Sequence, residues 1–302
     1  MSVSKADEPQ LRDARTVEPA VELLPITEAD LQAVAQFLHD ELNSQVPVAR
    51  WTSEIIPTWV VEQPNYGFML RCSGEVVGAH LAYYSEREID GATHRFCNLA
   101  AWCVAEPYRS HGVRLLRALL RQKGYHFTDL SPSYNVRALN ARLGFAALDT
   151  STVVLPNLPW PVRSRGVRVV SKRREIEKVL RGRDLSIYLD HACAAAAHHV
   201  VVTRGAENCH VIFRRVRRKN MPLFASLTYV SNQDLFRATA PCFFRHLLLR
   251  HGIPATLVEM HVVGERFARS VAVSPRPKMY RSDSLRRDQI DYLYSELTCM
   301  RW

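Results

Sequence analysis

Residues 104–114 read Val-Ala-Glu-Pro-Tyr-Arg-Ser-His-Gly-Val-Arg. An apolar stretch, Phe96 to Val104, precedes them, and an amphipathic stretch, Val113 to Lys123, follows and is closed by Gly124. The pattern predicts a strand, a tight loop and a helix N-terminus in succession. Such a junction leaves backbone N–H groups without intrahelical partners, with the positive end of the helix dipole behind them. It suits a phosphate or pyrophosphate. Gly112 would let the backbone approach a ligand closely and take a positive φ where one is required. The amides of Ser110, His111, Gly112, Val113 and Arg114 would form the cradle, and Arg109 and Arg114 would add positive charge. By itself, a glycine-bearing loop before a helix is also an ordinary surface turn.

The order of elements around this junction narrows the fold. Val21 to Thr27 reads as a strand. A helical stripe follows (Leu31, Val34, Ala35, Phe37, Leu38), then a second helix over Arg50 to Val61 that Pro57 should kink or shorten. Tyr66 to Cys72 and Glu75 to Tyr84 flank Ser73-Gly74 and read as a hairpin. After Phe96–Val104 and its helix come a strand at His126 to Leu130, a helix at Asn135 to Leu143 ended by Gly144, and a last strand at Phe145 to Leu155. The resulting order is β-α-α-β-β-β-α-β-α-β, a mixed α/β arrangement. Three prolines between Pro156 and Pro161 mark a boundary.

The 302 residues suit two domains. The second half repeats the order more faintly: a strand at Val167 to Val170, helices at Ser171 to Leu180 and Leu185 to Ala197, and three strands at His198 to Thr203, Cys209 to Val216 and Leu223 to Val230. A long helix, Leu235 to His251, and a strand, Thr256 to Val262, complete it. Placing Gly124 on Gly252 sets Leu115-Leu116-Arg117 against Phe243-Phe244-Arg245, a faint duplication with an offset of about 128 residues. In that register Gly112 falls opposite Ala240. Asp234 puts a carboxylate at the second helix's start, so this half is not expected to hold a phosphate.

Charge and cysteines set the class. Residues 1–150 hold 14 Lys and Arg against 18 Asp and Glu, and the rest holds 26 against 12, so the formal net charge of +10 belongs to the second half. A basic half suits an anionic partner, and equally a set of solvated arginines. Seven scattered cysteines without a Cys-x-x-Cys pair indicate neither a disulfide framework nor a zinc ribbon, and a reducing cytoplasm is the expected location. Met1 to Glu18 lacks the apolar core of a signal peptide, and the first 20 or so residues are expected to form a mobile tail. No apolar run is long enough to span a membrane.

Two segments together resemble the GCN5-related N-acetyltransferase (GNAT) superfamily. The 104–114 junction resembles its acyl-CoA motif, a strand ending in Val followed by Arg/Gln-x-x-Gly-x-Gly/Ala. Ser133-Tyr134-Asn135-Val136-Arg137-Ala138, with Arg142-Leu143-Gly144-Phe145 after it, resembles the second signature, in which an Asn opens a helix ending in Gly-Phe. The resemblance implies a GNAT domain at residues 21–155, a linker at 156–165 and a degenerate GNAT-like domain at 166–302. It also implies that Phe96–Val104 and His126–Leu130 pair and then splay to admit the pantetheine arm. A strand bulge would free an amide near Cys103 or Val104 to polarise the thioester carbonyl. Asn135 would contact the cofactor arm.

The chain departs from the family pattern twice. Arg114 stands where the phosphate loop ends in a small residue. Asn140 stands where a Tyr commonly serves as acid for the leaving thiolate, and Asn does not ionise. For the base that takes a proton from the attacking amine, Asp129 is the candidate, ahead of His126 and Glu106. A carboxylate solvating a strand end is the competing explanation for Asp129. Cys103 as a nucleophile is disfavoured, because a buried strand Cys is inert.

Other features are expected to be structural. His191-x-Cys193 and His198-His199 fit no common zinc spacing, and no metal is expected. The run from Arg214 to Lys219 falls in a predicted hairpin turn, where solvated charge is the default; it has no interleaved aromatics for nucleic acid. Ile290, Leu293, Tyr294 and Leu297 form a helical stripe that should dock on a core. The expected activity is acyl transfer from acetyl-CoA or another acyl-CoA to a small-molecule or peptide amine. The alternatives are a non-catalytic acyl-CoA-binding module and an enzyme supplied by an acidic acyl carrier protein.

Overall fold

A computed structural model of the chain describes residues 20–161, 165–218, 221–268 and 270–301. The first half follows the expected order: β1 (Glu22–Pro25), α1 (Leu31–Glu41), α2 (Val48–Ile55), β2 (Gly67–Cys72), β3 (Glu75–Ile89), β4 (Ala92–Val104), α3 (Gly112–Leu120), β5 (His126–Asp129), α4 (Tyr134–Arg142) and β6 (Ala146–Ala147). Helix α2 stops before Pro57, whose missing N–H and preference for an extended preceding residue end it there. The β2–β3 turn is Ser73-Gly74, as expected. The long β3–β4 hairpin turns at Asp90-Gly91, where both residues have positive φ.

Alternation along β3 explains the layers. Ala79, Leu81 and Tyr83 face α1 and α2, against Leu38, Trp51 and Ile55. Ala82 and Tyr84 face the opposite way, against Leu116 and Leu119 of α3 and Phe127. Both faces of the sheet are therefore covered, as a sheet with a central parallel pair requires.

The second half contains β7 (Thr152–Pro156), β8 (Val167–Val170), α5 (Arg173–Val179), α6 (Gly182–His191), β9 (His198–Arg204), β10 (Glu207–Arg218), β11 (Met221–Val230), α7 (Gln233–His251), β12 (Ala255–Glu259), α8 (Met260–Val263), β13 (Val271–Val273), β14 (Met279–Arg281) and α9 (Glu296–Cys299). There are two seven-stranded mixed sheets. The first runs β1-β2-β3-β4-β5-β14-β6 and the second β13-β7-β12-β11-β10-β9-β8. Each contains one parallel pair, β4 with β5 and β11 with β12.

The sheets exchange strands, which the sequence pattern did not predict. The single strand expected over Phe145 to Leu155 is broken. Ala146–Ala147 pairs with β14 in the first sheet, whereas Thr152–Pro156 pairs with β12 in the second. The break is held by Asp149, whose Oδ1 accepts from the backbone N and Oγ of Ser151. Val153 and Leu155 are buried in the second half's core. In return β14 inserts between β5 and β6.

The expected C-terminal helix is also absent from the described residues. Residues 287–289 form a 3-10 turn, an extended stretch follows, and only Glu296–Cys299 is α-helical. Tyr294 takes a positive φ of 55°, which a continuous helix cannot accommodate. Ser295 then caps the short helix through its hydroxyl, which accepts from Leu297 N. The apolar positions still dock: Ile290, Tyr292, Leu293, Leu297 and Met300 are buried. Helix α6 ends at His191 rather than Ala197. The expected mobile tail lies outside the described residues. Among those described, no helix is long and apolar enough to cross a membrane.

Candidate active site

Strands β4 and β5 pair from Phe96↔His126 to Leu99↔Asp129 and then part. Beyond Leu99, β4 continues beside β3 as far as Val104, opposite Gly78. The chain leaving β5 turns off through Leu130 to Pro132. A cavity of about 380 Å³ opens in the gap, lined by Leu99 to Trp102, His80, Asp129 and the start of α4.

The bulge falls at Ala101. Ala100 is opposite Leu81 and Trp102 opposite His80, so Ala101 has no ladder partner. Its φ is 43°, in the left-handed region. Cys103 and Val104, where the disturbance was expected, keep regular register with Ala79 and Gly78. Burial raises the Cys103 thiol pKa. The irregularity is reinforced from β2. Gly67 has φ 116°, and a Cβ there would sit 2.1 Å from the His80 carbonyl oxygen. Only glycine fits this approach.

The predicted phosphate loop is a 3-10 turn, Glu106–His111, that runs straight into α3. Gly112 has φ −55°, and its N–H donates to the Arg109 carbonyl. Its glycine character therefore serves close packing rather than positive φ: an added Cβ would lie 3.3 Å from Val104 Cγ2. Ser110 and Arg109 are exposed, and Arg109 lies 3.6 Å from Glu106. His111 stands at the N-cap without a side-chain cap bond, and Val113 is half-buried. Arg114 turns back to the start of β1, with Nη1 donating to the Val21 carbonyl at 3.0 Å and lying 3.1 Å from His111 Nδ1. Asn135 is exposed in the first turn of α4.

Asp129 and Asn140 meet. Asn140 Nδ2 donates to Asp129 Oδ2 at 2.7 Å, and Asn140 is fully buried with Oδ1 unpartnered among the described residues. Burial pushes the Asp129 carboxyl up to about 6, opposed by the bonds from Asn140 and the Ser131 amide. His126 is drawn elsewhere, with Nδ1 at 2.9 Å from Ser282 Oγ and Nε2 at 3.1 Å from His94 Nδ1. Glu106 is exposed.

Two further groups converge here that the sequence pattern did not single out. Glu296, from the C-terminal segment, is completely buried. Burial pushes its carboxyl up to about 7, and the nearby Asp129 charge adds to this. Ser131 Oγ donates to its Oε1 at 2.7 Å, while Oε2 has no partner among the described residues. Its amide donates to Asn98 Oδ1 at 3.2 Å, and Asn98 is tied to Thr128 of β5 at 3.0 Å. A charged residue beside Leu297 in a stripe destined for a core was the available signal. His80 is the second group. Its ring stacks on Trp102 at 4.8 Å, burial holds it down at about 3, and Nδ1 is unpartnered among the described residues.

The second parallel pair differs at its helix. Helix α7 is capped by Asn232, whose Oδ1 accepts from Leu235 N at 2.9 Å, and Asp234 pairs with Arg237. His191 has both ring nitrogens engaged, Nδ1 with the Ile187 carbonyl and Nε2 with Tyr294 N. Among the described residues no three His, Cys, Asp or Glu side chains are placed to hold a metal ion.

No protein-family model matches the chain, and no curated protein matches it. Solved structures do. A GCN5-related N-acetyltransferase from Anabaena variabilis superposes with a TM-score of 0.57 at 11% identity, over 87% of this chain and 72% of that one. One from Kribbella flavida gives 0.55 at 15%, over 88% and 72%. Saccharomyces cerevisiae N-myristoyltransferase with bound myristoyl-CoA gives 0.52 at 9%, over 97% and 89%. With its splayed central strands and its bulge, the chain has the fold of the GCN5-related N-acetyltransferases.

Proposed function

We propose that the protein is an acyl-CoA-dependent N-acyltransferase. One observation carries the reading: the β4–β5 gap opens beside the Ala101 bulge and holds a buried carboxyl, Asp129, at its edge. Similarity to acetyltransferases and to a myristoyltransferase with myristoyl-CoA bound supports a thioester in that gap. In this reading residues 21–155 hold the acyl-CoA and residues 166–302 build the acceptor side. The pantetheine arm enters between the splayed strands, the amides flanking Gly112 from Ser110 to Arg114 and the Arg109 side chain meet the diphosphate while the Gly112 N–H stays on the Arg109 carbonyl, and Asn135 contacts the arm. Backbone donors at the bulge face the thioester carbonyl.

The acceptor amine attacks that carbonyl. The C–N bond forms, the C–S bond breaks, and CoA leaves as a thiolate that water protonates. Asp129, ionised at neutral pH, takes the proton the nitrogen loses. Asn140 donates its hydrogen bond to Asp129, so it holds the base rather than protonating the thiolate.

Calorimetric titration with acetyl-CoA, followed by a free-thiol assay over a panel of amines, tests the reading. Saturable binding and amine-dependent thiol release, lost in Asp129→Asn, are expected. Failure to bind acetyl-CoA and longer acyl-CoAs would end it. Binding without turnover would leave the acyl-CoA-binding module.

A further inference from the structure

A second cavity, of about 250 Å³, lies at the end of the other parallel pair. Strands β11 and β12 pair from Phe224↔Ala255 to Ser226↔Leu257, and the cavity begins where that pairing stops. Its wall includes Ser131 and Pro132, which also line the first cavity. The two spaces therefore share one short segment of wall, and the buried Glu296 is bonded to Ser131 within it.

The charge inside the second cavity is specific. Lys278 Nζ lies 2.5 Å from Glu259 Oε1, and Tyr292 OH donates to Glu259 Oε2 at 2.7 Å. That acid and that cation satisfy each other. Arg214 does not share in this. It lines the cavity, is only 6% exposed, and its Nε is enclosed without a partner. Among the described residues it makes no ion pair and no hydrogen bond. Arg214 belongs to the basic run expected to be solvated. Instead β10 extends to Arg218, and strand alternation turns Arg214 and Val216 inward and Arg215 and Arg217 outward. Arg276 adds a second, exposed cation at the cavity rim.

The buried Glu296 carboxyl acts on Arg214 from nearby but forms no ion pair with it, and an enclosed guanidinium whose Nε has no hydrogen-bond partner among the described residues is costly. An anion that enters the cavity supplies the missing partner. The guanidinium fork matches a carboxylate in bidentate geometry. The neighbouring Glu259 carboxylate favours a singly charged carboxylate over a phosphate dianion.

We propose that this cavity holds a carboxylate of the acceptor, so that the substrate is an amino acid or peptide-like amine whose acid group is gripped by Arg214 while its amine reaches the first cavity past Ser131. The proposal rests on the acyltransferase reading for the amine end. The carboxylate site itself is tested by binding alone.

The full chain, saturated with CoA, is titrated calorimetrically with a panel of N-acetyl amino acids and their methyl esters, which stand for the acylated product. At least one acid is expected to bind tenfold or more tightly than its ester. Arg214→Met should erase that difference, and Arg214→Lys should keep part of it. Because the substitution to Met removes a buried unpaired charge, this variant should melt no lower than the parent. If it fails to fold, Arg214→Lys and the ester comparison still decide. No acid outbinding its ester, or a preference that survives Arg214→Met, overturns the proposal. Loss of CoA binding or thiol release alone strikes the acyltransferase reading and leaves the carboxylate result standing.

Discussion

Asn140 donates a 2.7 Å hydrogen bond to Asp129 while its own carbonyl oxygen is buried without a partner among the described residues. The bond stabilises the ionised carboxylate against the burial that pushes Asp129 up to about 6. Asn140→Leu removes it, so the Asp129 pKa should rise further. The rate falls on the acid side as the base becomes protonated. The acid limb should therefore sit near pH 6 in the parent and move up by about one unit in the variant. A pH–rate profile of thiol release checks this. A limb that stays in place in Asn140→Leu would remove Asp129 from the role of base.

Glu296 gives a stability prediction of defined sign. Its folded pKa, about 7, lies above its ordinary value, so the folded state binds the proton more tightly than the unfolded chain does. Stability from this group is complete below the unfolded pKa and is lost as pH rises through about 7. Glu296→Gln removes the buried charge. The variant should gain on the order of 2 kcal/mol over the parent at pH 8 and nothing near pH 4. Melting temperatures at the two pH values decide. An equal gain at both would mean that folding does not shift the carboxyl's pKa.

The first half was legible because its signals are local. Ser73-Gly74, Pro57, Gly124 and Gly144 punctuate the chain where the sequence pattern placed boundaries, and the parallel pair falls where two apolar runs flank a helix. What was not legible is non-local. Nothing near Ala146 announces that its partner is Tyr280, or that Thr152–Pro156 crosses to the other sheet. Glu296 looked like one charge beside an apolar stripe, and its meaning depends on Ser131 and Asp129, far away in the chain. Arg214 looked solvated because it opens a run of basic residues, although it fell inside the expected strand and alternation along β10 turns it inward. The bulge was placed too late, at Cys103 or Val104, because Ala101 carries no glycine to mark its positive φ.

That last point is testable. Ala101 holds a left-handed conformation at some energetic cost, which glycine does not incur. Ala101→Gly should raise stability by up to about 1 kcal/mol, and the β-branched Ala101→Val should lower it by about 1–2 kcal/mol. Chemical denaturation of the two variants measures both. Should glycine destabilise as much as valine, the positive φ is not the conformation of the folded protein.

Gly112 separates two reasons for a glycine. If positive φ or ligand approach alone required it, alanine would be unwelcome for conformational reasons. Its φ of −55° is helical, and alanine in a helix is favoured over glycine by up to about 1 kcal/mol. Against this stands the 3.3 Å contact between an added Cβ and Val104 Cγ2, which a rotation of that valine can relieve. The two terms oppose each other, so Gly112→Ala should change stability by less than about 0.5 kcal/mol. Gly112→Glu places a long charged chain between α3 and Val104 and Trp102, and should lose 2 kcal/mol or roughly that, by the cost of overpacking and of burying charge. Urea melts of both variants, alongside acetyl-CoA titration of Gly112→Ala, settle the matter. Retained stability with weakened binding in Gly112→Ala would place the ligand against this helix start. Lost stability in the alanine variant would show that Val104 cannot yield and that the glycine is there for packing alone.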